Sequence, residues 1–148
     1  MTEDTLCLLL SRITISVFVE ASLGKTWDAF TSPSSIVKWN FASDDWCCPT
    51  ATNDLRVDGS FNYRMESKDG KVGFDFCGKY TKVIPENRIA YVLGDDREVS
   101  IEFRAIGERT EVIETFDTET ENSLDLQRAG WQAILNNVKK HVETNRLE

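Results

Sequence analysis

The chain has 148 residues, 41% hydrophobic and 28% charged, and a net charge of −8. That size and mix fit a single globular domain with its own core. The lack of any Lys/Arg run argues against nucleic acid as a partner, and no stretch approaches the ~20 apolar residues of a membrane span.

In chain order, Leu6 to Leu10 is a short apolar run behind Glu3 and Asp4, where a signal peptide would carry Lys or Arg. Residues 1–11 therefore read as a non-secretory N-terminal extension, and 12–148 as one domain. Ile13, Ile15, Val17 and Val19 alternate with Thr14, Ser16, Phe18 and Glu20, which predicts a strand. Ser22 is placed to cap a helix with Leu23, Trp27 and Phe30 on its apolar side. Thr31-Ser32-Pro33-Ser34 stops that helix, and Pro33 opens a second short one through Ile36 and Trp39. Residues Asn40 to Asp54 show no period and are read as irregular.

Leu55 to Gly59 leads into a strand with Phe61, Tyr63 and Met65 on one side. Lys68-Asp69-Gly70-Lys71 signals a hairpin turn. Val72 to Val83 is the next strand, with Phe74, Phe76, Gly78 and Tyr80 in one parity. Gly73 and Gly78 mark bulges or bends of a curved sheet. After the turn at Pro85-Glu86-Asn87, Ile89, Tyr91 and Leu93 alternate. After Gly94-Asp95-Asp96, so do Val99, Ile101 and Phe103. After Ile106 to Arg109, so do Val112, Glu114 and Phe116. From Ser123 to Arg146 the apolar residues Leu124, Trp131, Ile134, Leu135, Val138 and Val142 fall on one face of a helix. Gly130 weakens that helix by up to ~1 kcal/mol relative to Ala, which suggests close sheet–helix approach there. The expected class is α+β, with a curved antiparallel sheet around a long C-terminal helix.

The order and spacing of these pieces resemble the SRPBCC or START-like superfamily, specifically its branch related to the C-terminal domain of the Hsp90 ATPase activator. The resemblance rests on the strand ending at Ala21, the Thr26-Trp27 helix and Ile36-Val37-Lys38-Trp39. It continues through Leu55-Arg56-Val57-Asp58-Gly59-Ser60-Phe61, Gly78-Lys79-Tyr80 and Val83 to Ile89. The Gly107 to Thr110 turn and Gly130-Trp131 complete it. It implies a helix-grip fold, also described as START-like or Bet v 1-like, which often leaves an apolar pocket between sheet and last helix. Two features depart from the pattern: Ala21-Ser22-Leu23 carries no proline, and Asn40 to Pro49 is rich in cysteine. The Asn- and Trp-rich N-terminal domain of the Hsp90 activators has no counterpart in the residues given. A chaperone partner is therefore compatible with the resemblance but not implied by it.

Parity gives the candidate pocket residues Trp39, Phe61, Tyr63, Met65, Phe76, Tyr91, Phe103, Val112, Glu114 and Phe116. Trp131, Ile134 and Leu135 join them from the helix. The alternative is that these side chains fill the interior completely. Glu114 shares the inward parity, so it is either a pocket acid, base or anchor partnered by Arg64, Tyr63 or a ligand, or a rim carboxylate in water. Asp75 is the second candidate base, facing inward under a register one residue different.

The only histidine, His141, sits near the helix end, where a cation suits the dipole. One histidine cannot build a His-based metal cluster, and no dinucleotide fingerprint or Ser-His-Asp set is present, so no cofactor or metal is expected. The cysteines Cys7, Cys47, Cys48 and Cys77 lack C-x-x-C spacing and read as reduced cytosolic thiols; the alternative is a redox or soft-metal role for Cys47-Cys48.

Three functions remain open, all expected in the cytoplasm. One is a non-catalytic module for a small apolar or aromatic molecule, including lipid. The second is a cyclase- or hydrolase-type enzyme using a pocket carboxylate. The third is a co-chaperone-like stress-response protein acting through its outer surface. A perturbed carboxylate in a pocket favours the second, a pocket without one the first, and a filled interior with an exposed apolar patch the third. A homodimer is compatible with each.

Overall fold

The computed structural model describes residues 11–145. Most of the N-terminal extension, Cys7 and the last residue of the expected helix, Arg146, lie outside them.

Strand β1 (Arg12–Val19) is followed by helices α1 (Leu23–Thr31) and α2 (Pro33–Trp39). Six strands come next: β2 (Trp46–Asn53), β3 (Ser60–Ser67), β4 (Gly73–Ile84), β5 (Arg88–Leu93), β6 (Glu98–Ile106) and β7 (Arg109–Asp117). Helix α3 (Leu124–Asn145) ends the described chain. The strands form one antiparallel sheet in the order β1-β7-β6-β5-β4-β3-β2. Ser22 caps α1, its hydroxyl accepting from the Lys25 N–H at 3.3 Å. Pro33 stands at the start of α2, where its missing N–H costs nothing.

The alternations of β1, β3, β5, β6 and β7 are realised as read. Val19, Val99, Val112, Phe116, Leu135 and Val138 are all at most 2% exposed in one core between sheet and α3. β1 is an edge strand, and α3 covers its free carbonyls. Arg128, Gln132 and Lys139 donate to the carbonyls of Thr14, Ser16 and Phe18 at 3.2, 3.2 and 2.6 Å. Alternate residues of the strand thus meet one face of the helix, which occupies their outward carbonyls.

Four expectations need correction. Residues 46–53 are a strand, not irregular: its register shifts between Cys47 and Thr50, and Pro49 breaks the alternation that would reveal it. Leu124 is 41% exposed, because α3 starts beyond the sheet. Gln127 turns inward instead, accepting from the Glu119 N–H and donating to the Glu119 and Asn122 carbonyls. Gly130 permits no close approach, since a Cβ there would meet nothing within 4 Å. His141 is disfavoured as a helix-end cation: burial, then nearby Lys38, holds its pKa below the usual value.

Close approach does occur at Gly78. A Cβ there would lie 2.5 Å from the Val92 carbonyl and 3.0 Å from the Phe61 ring. A second register shift in β4, between Tyr80 and Lys82, sets Val83 against inward-facing Ile89.

Candidate functional site

A cavity of about 230 Å³ lies between the concave sheet face and α3. The sheet contributes Tyr63 and Met65 from β3, Phe74, Phe76 and Tyr80 from β4, Ile89 and Tyr91 from β5, Ile101 from β6 and Glu114 from β7. The helices contribute Phe30, Trp39, Trp131, Ile134, Leu135 and Val138, and the loops Asn40 and Arg97. Period-2 strands aim every second residue at this space, and a helix adds residues three and four apart.

Rings form a continuous wall. Phe76 lies 6.2 Å from Tyr63, 6.4 Å from Tyr91 and 6.1 Å from Trp131 between centroids. Trp131 is stacked on Phe116 at 4.1 Å with an interplanar angle of 8°. Phe116 thereby fixes the indole, whose remaining surface borders the cavity.

Glu114 is 7% exposed and sits between fully buried Val112 and Phe116 on one face of β7. Its cross-strand neighbours are Ile15 and Ile101, so neither adjacent strand offers it a donor. Among the described residues no hydrogen bond or ion pair reaches its carboxyl. No fully enclosed polar side-chain atom there lacks a partner, so the carboxyl keeps its contact with the cavity space. Burial pushes its pKa up to about 8. Its charge is felt at Tyr91: burial first, then Glu114, holds that phenol well above its usual value.

Arg64, one expected partner, lies on the outer face with Glu66 at 3.2 Å and Asp75 at 3.6 Å. Asp75 is thus exposed, away from the cavity, which corrects its reading as a pocket base. Tyr63 does reach the cavity but forms no hydrogen bond with Glu114. At the rim, the Arg97 guanidinium is held by Asp95 at 2.8 Å. Asn40 is buried, its Nδ2 3.9 Å from the Cys48 sulfur.

Nine of the expected residues line the cavity: Trp39, Tyr63, Met65, Phe76, Tyr91, Glu114, Trp131, Ile134 and Leu135. Phe61, Phe103, Val112 and Phe116 face inward but belong to the packed core. Phe61 is enclosed by Tyr63, Tyr80 and Tyr91 at 4.8–5.2 Å, and Phe103 by Trp27 and Phe30 at 5.2 Å each. Tyr80, Ile89 and Ile101 carried the same inward parity and belong with the lining. Asn40 and Arg97 sit at turns, where no periodicity marks them.

Cys47, Cys48 and Cys77 are free thiols, and burial raises the Cys48 pKa, which disfavours the reactive thiolate. No group of three or more His, Cys, Asp or Glu able to hold a metal occurs among the described residues. No described helix is long and apolar enough to cross a membrane.

A curled antiparallel sheet of seven strands gripping a long terminal helix defines the helix-grip, START-like class. Residues 20–143 match the family described as activator of Hsp90 ATPase homolog 1-like protein, and the chain belongs to that family. It is similar to the solved structure of an AHSA1-like protein from Aeromonas hydrophila. The two are 41% identical over 93% of this chain and 96% of that one, with a TM-score of 0.87. A protein from Cytophaga hutchinsonii is 42% identical over 93% and 95% of the two chains, with a TM-score of 0.79. Protein NE0264 from Nitrosomonas europaea shares the fold at 16% identity, covering 93% and 97%, with a TM-score of 0.78. No curated protein matches the chain.

Proposed function

We propose that this protein binds a small, mainly apolar organic molecule between the sheet and α3, with Glu114 as its polar anchor. The observation that supports this most is an unpaired carboxyl, 7% exposed, opening into an aromatic-walled cavity of about 230 Å³. An apolar cavity of about 150 Å³ accepts benzene, so by proportion this one suits roughly nine or ten non-hydrogen atoms. Apolar burial would supply the affinity, and the carboxyl would set orientation. The hollow interior weighs against action through the outer surface alone.

A ligand screen followed by thermal melting tests this reading. Aromatic molecules of that size raise Tm by mass action if they occupy the cavity. If no compound in a broad aromatic and lipid set shifts Tm, and native mass spectrometry finds no co-purifying molecule, the proposal fails.

The raised pKa of Glu114 supports a second reading, in which it is a general acid or base. Glu114→Gln separates the two once a ligand is known. An enzyme would bind it and lose turnover; a binding module would show only a change in affinity.

A further inference from the structure

Taking the cavity as a binding pocket, we propose that its ligand is an organic cation: a small aromatic or aliphatic body whose ammonium group sits between the Glu114 carboxylate and the rings of Tyr91, Phe76 and Trp131. The inference rests on that reading and names the ligand's chemistry.

The charge of Glu114 has no counterpart nearby. Arg97 is committed to Asp95 at 2.8 Å, Arg64 lies outside, and the cross-strand neighbours are Ile15 and Ile101. Folding has already stripped this carboxyl of most of its water, so a ligand's charge meets a prearranged, weakly solvated partner. A cation is the ligand that gains from ionising this carboxyl, whereas a neutral or anionic ligand leaves it in its protonated form.

The rings stand where a cation would use them. Glu114 and Phe116 are two residues apart on one strand face, about 7 Å. Trp131 is stacked on Phe116 and lines the same cavity as Glu114. Tyr91 approaches from β5 closely enough to feel the charge of Glu114, and Phe76 touches both Tyr91 and Trp131 edge-on. Ring faces attract an ammonium within about 6 Å of their centroids. A carboxylate joined to such a wall matches an alkylammonium in both charge and shape. The net charge of −8 also draws cations to the protein from a distance.

The proton balance is definite. The titratable side chains facing the cavity are Tyr63, Tyr80, Tyr91, Arg97 and Glu114. Burial raises all three phenols, which stay neutral. Glu114 is therefore the group that changes state. The ammonium favours its ionised form, and about one proton leaves for each cation bound near neutral pH.

The test titrates the full chain with 2-phenylethylamine, 2-phenylethanol and phenylacetate at pH 7.5, by calorimetry and by NMR shifts at cavity residues. The amine is expected to bind at least about tenfold more tightly than the alcohol, with phenylacetate weakest. Glu114→Gln should bring the amine down to the level of the alcohol. Amine affinity should also rise about tenfold per pH unit between pH 6 and 7 in the wild type and stay flat in Glu114→Gln. If the alcohol or phenylacetate shifts cavity resonances as strongly as the amine, or Glu114→Gln retains the amine's advantage, the cation assignment is wrong and the pocket stands. If none of the three binds, the cation assignment is wrong, and the pocket itself is decided by the broad ligand screen.

Discussion

The two ends of the concave face are built from the same strands yet differ in what lies over them. At one end β6 and β7 present Phe103 and Val112, and α1 drives Trp27 and Phe30 onto Phe103 at 5.2 Å each. Val19, Thr110 and Val112 are fully enclosed there. At the other end the same two strands present Ile101 and Glu114, and α3 spans the gap as a bar. Tyr63, Phe76 and Trp131 stay half-buried around about 230 Å³ of space. Strand alternation decides which side chains face inward. The helices above them decide whether the interior is packed or hollow.

Truncating a ring at each end tests that contrast most strongly. Phe103→Ala leaves a cavity among tightly packed rings and should cost about 3–5 kcal/mol. Phe76→Ala enlarges a space that already exists and should cost about half as much or less, because little packing is lost beyond its own transfer term. Denaturant unfolding measures both. Equal losses would mean that the interior is uniformly packed.

The second test uses charge. The folded pKa of Glu114 is about 8, above its ordinary value of 4.5. At low pH both states hold the proton, and the group makes no difference. As pH rises through 4.5 the unfolded chain ionises while the native protein does not, so stability falls until about pH 8 and then levels off. Glu114→Gln removes this dependence. Its stability advantage over the wild type should grow from pH 4 to pH 8 by on the order of 3–5 kcal/mol. A constant difference across that range would show that Glu114 ionises freely and that its end of the interior is wet.

Polar groups at the packed end behave in the opposite way, because the fold satisfies them. The Thr110 hydroxyl, fully buried, donates to the Ala21 carbonyl at 2.9 Å. Thr110→Val keeps the shape and strands that carbonyl, so it should cost about 1–3 kcal/mol with no pH dependence. A pH-dependent loss would link the two ends in a way that their separate packing does not suggest.

These differences also explain what the sequence could disclose. Val99/Ile101/Phe103 and Val112/Glu114/Phe116 alternate cleanly because one face of each strand is buried, and that pattern survives in any helix arrangement. The same pattern marks Phe103 and Tyr91 alike. What separates them is what lies over them: Trp27 and Phe30 of α1 close on Phe103, while Tyr91 borders the cavity. Strand β2 was hidden because Pro49 and a register shift erase its period. Asp75 faces outward, as its parity between Phe74 and Phe76 had it, and meets Arg64 across the strands there. The unpaired state of Glu114 was foreseeable only as a choice among partners, since it depends on what its neighbours across β1 and β6 turn out to be.

The smallest effect lies on the helix over the hollow end. Gly130 precedes Trp131, and its spacing suggested that α3 needed a glycine to approach the sheet. A Cβ at that position meets nothing within 4 Å, and its φ is not in the left-handed region. The glycine therefore carries only its entropic cost inside a helix. Gly130→Ala should stabilise the protein by up to about 1 kcal/mol, read as a higher denaturation midpoint with an unchanged slope. Destabilisation instead would mean that α3 rides lower on the sheet than the open geometry indicates, and that the hollow end closes partly when the cavity is empty.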